Sequence, residues 1–142
     1  MNRSEQGVSL VELLINTAIL MVLSAISFPL TSTSMGIYRL RNDSHQIAAQ
    51  FQNARFMAIS SNVQHRLHWA GSTLQVQKLT AGSYVTVDSY ELTNGLRVAS
   101  GWTTDPVINP RGLVTPAASV TLANGSKTRT VSVSVIGLVT EQ

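Results

Sequence analysis

Cysteine is absent from the 142 residues. That excludes a disulfide framework and any cysteine-ligated metal centre, and it leaves the redox compartment open. Charge is scarce as well. Charged residues make up 12% of the chain, about half of the roughly 25% usual for a soluble domain. So little charge suits a chain that is partly embedded in a membrane. Ten basic and seven acidic side chains give a net charge of +3, but no block of like charges exists. Arg39, Arg41, Arg55, Arg66, Lys78, Arg97, Arg111, Lys127 and Arg129 are scattered, so basicity alone does not indicate a nucleic-acid partner. Catalytic signatures are missing too: there is no Gly-rich phosphate loop, no His-Glu-x-x-His and no nucleophile elbow. The sequence nominates no catalytic residue, no metal ligand and no cofactor, and an enzyme is not expected.

What is present is one long apolar run. Val8 to Leu30 is 23 residues, about 34 Å of helix at 1.5 Å per residue, enough to cross a hydrocarbon core of about 30 Å. Ser9, Glu12, Asn16, Thr17, Ser24 and Ser27 interrupt it, and Pro29 near its far end is expected to bend the helix. Tyr38, Arg39 and Arg41 follow, as at an interfacial exit. Glu12 is the informative residue. A charged side chain at the bilayer centre costs about 2.5–3.5 kcal/mol or more, so a carboxylate retained there is expected to be used.

Three readings of this run compete. It is a signal anchor, a secretory signal peptide with a small-x-small site at Ala25-Ile26-Ser27, or a segment that joins an assembly. The head of the run argues against the first two. The leader 1–7 carries only Arg3 and the terminal amine, offset by Glu5, and a signal h-region should not open with a glutamate. The basic residues flanking the run do not settle its orientation. The third reading explains Gly7 and Glu12 together. Cleavage after Gly7 would create a new amine on Val8, on the same helix face as Glu12 four residues on. The ammonium of one subunit would then pair with the carboxylate of its neighbour, offsetting the burial cost and setting the axial register of an assembly.

At these residues the chain resembles the precursors of type IV pilins and pseudopilins. The match is the short leader ending in Gly7, the stretch Val8-Ser9-Leu10-Val11-Glu12-Leu13, and Pro29 at the usual helix-kink position. The resemblance implies a membrane prepilin peptidase that cuts between Gly7 and Val8 on the cytoplasmic side and methylates the new amine of Val8. It implies that Glu12 guides docking into a helical filament. Val8 departs from the Phe or Met more usual there, which bears on methylation more than on cleavage.

The polar patch 31–36 is expected to mark the exit from the bilayer. After it, Ile37, Leu40, Ser44, Ile47, Phe51, Ala54 and Ala58 recur at spacings of three and four, one face of an amphipathic helix. The preferred reading is a face packed on the protein's own sheet; the alternative is a seam for a partner helix. From Val63 the period changes to alternation. Strands are expected over 63–69, 74–79, 84–87, 90–92 and 96–98, with a turn at Asp88-Ser89 and a loop over 99–110. Segments 118–123 and 128–136 flank Asn124-Gly125-Ser126-Lys127 as a hairpin. Val131, Val133 and Val135 should share one face, and Thr130, Ser132 and Ser134 the other.

The stretch Ala54–Val63, together with Asn109-Pro110-Arg111-Gly112 and Val131–Gly137, resembles the GspH/FimT family of minor pseudopilins and pilins. The expected fold is therefore α+β: a long N-terminal helix, membrane-spanning in its first half, packed on a C-terminal antiparallel sheet domain. The expected organisation is a leader 1–7, a transmembrane and assembly helix 8–30, its amphipathic second half 31–62 and a globular domain 63–142. The resemblance implies a structural subunit of a type II secretion pseudopilus, or alternatively a minor type IV pilin for pilus assembly or DNA uptake. It places the chain in the inner membrane as a single pass with a periplasmic C-terminal domain, assembling with other pilins or pseudopilins through the helix.

Other candidates are weaker. His65 and His68, three apart on a strand, point to opposite faces and make poor joint metal ligands. Asp88 and Glu91 read as a solvated rim. Some FimT-type relatives bind DNA through arginines after the last glycine. Here Gly137 is followed by Leu138-Val139-Thr140-Glu141-Gln142, without arginine and with an acid that opposes phosphate. DNA is not an expected partner, and Arg111, Lys127 and Arg129 form the one conceivable basic patch.

Overall fold

The computed structural model describes residues 9–93 and 95–142; the side chains of 26–34 lie outside the description. Contacts divide the chain into two compact units, 1–35 and 36–142. The boundary falls inside the polar patch read from the sequence. Helix α1, Leu10–Ser61, contributes to both units.

In the first unit, α1 carries apolar side chains on every side. Leu10, Val11, Leu13, Leu14, Ile15, Ile19, Leu20, Met21, Val22 and Leu23 are all exposed. Two of its polar residues turn inward on the helix itself: the Thr17 hydroxyl donates to the Leu14 carbonyl at 2.9 Å and the Ser24 hydroxyl to that of Leu20 at 2.7 Å. Such back-bonding hides hydroxyls from an apolar surround.

The second unit layers the remainder of α1 against two antiparallel sheets. Strands β1 (His65–Ala70), β2 (Thr73–Thr80), β3 (Ser83–Glu91), β5 (Val107–Ile108) and β6 (Val114–Thr115) form one sheet, in the order β3-β2-β1-β5-β6. Strands β4 (Arg97–Ser100), β7 (Ala118–Asn124), β8 (Lys127–Val133) and β9 (Val139–Glu141) form the other, in the order β4-β7-β8-β9. The Val114 amide donates to the Val135 carbonyl at 2.8 Å and ties one sheet to the turn that ends the other.

The helix face expected from the 3–4 spacing is the buried one. Leu40, Ser44, Ile47, Phe51, Ala54 and Ala58 are all buried, and they join Leu67, Leu74, Val76, Ile108, Val114, Val120, Leu122, Val131 and Val133 in one core. The face packs on the protein's own sheets, as preferred. Two details differ. Ile37 is exposed, although Gly36 just before it already meets Asn124 of β7, and Asp43 joins the face fully buried. Phe51 meets Trp102 edge-on at 5.6 Å, and Trp102 lies 5.8 Å from Trp69.

The strands correct the sequence reading in four places. The antiparallel domain is two sheets, because β4 pairs with β7 instead of continuing from β3. Residues 84–92 do not break at Asp88-Ser89. β3 runs through, and the register shift opposite Val76/Gln77, where Asp88 and Thr86 are the partners, leaves Val87 as an extra bulge residue. The expected loop 99–110 contains β5, two residues completing the sheet beside His65 and Arg66. β8 stops at Val133, so Val131 and Val133 are buried as expected but Val135 sits exposed in a turn. On the outer face Ser119–Ser132 and Thr121–Thr130 pair their hydroxyls at 3.2 and 3.0 Å.

Candidate functional site

The residues with the sharpest functional reading are at the start of the chain. Gly7 and Val8 lie outside the described residues. Glu12 lies in the first turn of α1, exposed, among the exposed apolar side chains from Leu10 to Leu23. Pro29 lies within α1 in the stretch 26–34, so the expected kink also falls outside the described side chains. Among the described residues, no helix is long and apolar enough to cross a membrane. The described side chains of the apolar run stop at Ala25.

A helix that is apolar all round does not stay exposed to water. The exposed side chains of this segment are 53–76% accessible, and at about 1.5–3 kcal/mol for each large apolar side chain buried, covering them is strongly favourable. One charge among them is the only ionised group such a cover must accommodate between Leu10 and Ala25.

The globular unit places the other candidates apart. His65 is buried, its Nδ1 at 2.9 Å from the Val63 carbonyl. His68 faces outward with Nδ1 at 2.7 Å from Asp105. The two histidines occupy opposite faces, as their spacing predicts. Among the described residues no three His, Cys, Asp or Glu side chains gather to hold a metal. Asp88 accepts from the Asn53 amide at 3.1 Å, so it joins β3 to the helix instead of standing free at a rim.

The basic residues do not converge either. Lys127 pairs with Asn124, whose amide donates to the Gly36 carbonyl at 3.2 Å. Arg111 precedes Gly112, which packs on Arg55 and Ile59. Gly36 and Arg55 are nineteen residues apart on α1, about 28 Å at 1.5 Å per residue. Arg111 therefore sits at the opposite end of the helix from Lys127 and Arg129. Glu141, read as opposing phosphate, is held by His45 Nδ1 at 2.8 Å and by the Ser44 hydroxyl at 3.2 Å.

The sequence reading missed two sites of packing. Asp43 is the buried acid of the helix, and Tyr90 beside it has its phenol pushed up to about 12, by burial first and then by the Asp43 charge. Arg55 runs between Gly112 and Gly137: a Cβ on either glycine would lie 2.9–3.0 Å from the Arg55 Nε. Both glycines have positive φ, +79° and +78°, so each turn demands a left-handed residue as well as space. Gly112 and Gly137 are legible in the sequence as turn or bulge positions, but not the arginine that runs between them.

Comparison with known proteins bears on the whole arrangement. The family described as "Type II transport protein GspH" matches residues 43–137. Among curated proteins none matches the sequence. Several solved structures have a similar fold. The minor pseudopilin EpsH from the type 2 secretion system of Vibrio cholerae superposes with a TM-score of 0.63 at 12% identity, over 73% of this chain and 96% of that one. The type IV minor pilin FimU of Pseudomonas aeruginosa superposes with a TM-score of 0.62 at 17% identity, over 72% of this chain and 87% of that one.

Proposed function

From a chain that belongs to the GspH family, we infer a minor pseudopilin, a structural subunit of a type II secretion pseudopilus. The observation that carries this reading is the first part of α1, apolar on all sides and broken by a single carboxylate. In this reading a prepilin peptidase cuts after Gly7, the new amine of Val8 is methylated, and the apolar segment 8–30 holds the subunit in the inner membrane with its sheets in the periplasm. Assembly then withdraws that segment from lipid into a bundle of like helices. The Val8 ammonium of one subunit meets the Glu12 carboxylate of the next, so two charges that are each costly in lipid neutralise one another only in register.

Substitution Glu12→Ala tests the mechanism. The variant is expected to be processed at Gly7 and to fail to enter the filament. Normal assembly of this variant sinks the register mechanism.

A second reading, a minor type IV pilin, is supported by the comparable superposition on FimU. A clean deletion scored for exoprotein secretion and for twitching separates the two. Loss of secretion alone supports the pseudopilus, and loss of twitching alone the pilus. Nothing in the separation of Arg111 from Lys127 favours a role in DNA uptake.

A further inference from the structure

Two turns at one end of the globular unit present large apolar side chains to solvent. The first, Asn109–Leu113, is closed by the Gly112 amide on the Asn109 carbonyl at 2.9 Å and by the Asn109 side-chain oxygen, which accepts from the amides of Arg111 and Leu113. The second, Ser134–Leu138, is closed by the Gly137 amide on the Ser134 carbonyl at 2.9 Å and by the Leu138 amide on the Ser134 hydroxyl at 3.1 Å. Turn centres ordinarily carry Gly, Asn, Asp or Pro. Here the second turn carries Val135 and Ile136, both β-branched and 50% and 64% exposed.

The turns lie side by side. A Cβ on Gly137 would lie 3.0 Å from the Gly112 carbonyl oxygen, and one on Gly112 would lie 3.0 Å from the Ile59 Cδ1. Ile59 and Phe56 share a helix face at a spacing of three and are also exposed. Phe56, Ile59, Leu113, Val135, Ile136 and Leu138 thus flank one pair of locked glycine turns at the C-terminal end of α1. Six exposed apolar side chains gathered around two adjacent turns mark an interaction site.

The charges at the shelf indicate what covers it. The Arg55 Nε is buried between the two glycines with no hydrogen-bond partner. Among the described residues, neither the Arg55 nor the Arg111 guanidinium has an ion pair. Arg111 is exposed and Arg55 half-buried, and two cations beside an apolar shelf complement an apolar surface that brings a carboxylate. A lipid surface with acidic headgroups has the same gross chemistry. It fits less well, because Arg55 is half-buried between the glycine turns with its Nε out of solvent, and a projecting side chain reaches a half-buried group better than a flat headgroup layer does.

We propose that this shelf is the surface on which the globular unit of a neighbouring pilin-type subunit docks, with a carboxylate of that neighbour reaching Arg55 or Arg111. The proposal rests on the filament reading above and names the partner's contact within it.

The test uses the full chain in its own cell. A benzophenone-bearing amino acid replaces Ile136, and for comparison Val87, exposed on β3 away from the shelf. Irradiation is expected to join position 136 to another pilin-type subunit, identified by mass spectrometry, and to leave position 87 unjoined. Arg111→Glu is expected to reduce the yield at position 136 while the folded chain keeps its resistance to protease. No adduct at 136, an adduct with lipid, or equal adducts at both positions overturns the shelf. Normal assembly of Glu12→Ala together with the position-136 adduct would leave the shelf standing and remove the register mechanism instead.

Discussion

Asp43 on α1 accepts two hydrogen bonds from Thr93, one from its amide and one from its hydroxyl, each 2.7 Å long. Fifty residues separate the pair in sequence. The carboxylate is fully buried, so it survives in the core only because the segment after β3 brings donors to it. Removing it leaves the Thr93 amide and hydroxyl unpaired and breaks the tie between the helix and that segment. Asp43→Ala is expected to destabilise the chain by about 2–4 kcal/mol, since bonds to a charged group count for more than neutral ones and the orphaned donors add their desolvation. Urea denaturation followed by circular dichroism measures it, and a change within about 0.5 kcal/mol would show the pair to be ornamental.

Tyr90 gives this region an alkaline limit. Its phenol is pushed up to about 12 from 10.0, by burial, by the charge of Asp43 and by hydrogen bonding to it, with Thr93 pulling the other way. A folded-state pKa above the unfolded value means the folded chain holds the proton more tightly. The stabilisation is complete below pH 10 and is lost as pH rises towards 12. A denaturation series across that window should show stability falling in the natural chain and a shallower fall in Tyr90→Phe. Identical slopes for the two would remove Tyr90 as the cause.

Gly137→Ala is expected to cost about 1–3 kcal/mol, since a left-handed backbone and a crowded Cβ act together. The added carbon would meet the Gly112 carbonyl oxygen at 3.0 Å as well as the Arg55 side chain. Arg55 can swing aside, but the carbonyl is backbone and cannot. Gly125→Ala, also at positive φ but with open space around it, isolates the conformational part. Equal losses for the two substitutions would show that crowding contributes nothing at position 137.

Glu141→Ala should matter little, although Glu141 makes two contacts to α1. The His45 side chain is 54% exposed, and exposed pairs contribute about 0–1 kcal/mol. Thermal unfolding near neutral pH is expected to shift only slightly, and β9 to keep its pairing with β8. A loss comparable with that of Asp43→Ala would mean that the C-terminal strand is pinned mainly by its side chain.

The helix was the most legible part of the fold. Seven residues from Ile37 to Ala58 repeat at a helical period, and six of them are buried. The period reports packing directly, because burial selects apolar side chains on one face. The division into two sheets was not legible. It depends on β4 choosing β7 over its sequence neighbour β3, and no local pattern encodes a partner twenty residues away. The turn expected at Asp88-Ser89 has a similar cause: the two residues have turn chemistry, yet pairing with β2 carries the strand through them, with the bulge at Val87. Of the candidate site, Glu12 was legible because a charge in an apolar run is conspicuous by itself. Asp43 was not, because an acid among His45, Arg41 and Asn42 looks like any solvated helix face until Thr93 arrives from elsewhere.

The hydrogen bond between Asn124 and the Gly36 carbonyl has a mechanical consequence. The tip of the β7–β8 hairpin grips the helix at the first residue of the globular unit. A force along the axis of α1 within this unit loads that bond together with the buried face. It is shared among Leu40, Ile47, Phe51, Ala54 and Ala58, which slide against the sheets in parallel instead of detaching one by one. Shear across so many simultaneous contacts resists force better than peeling does.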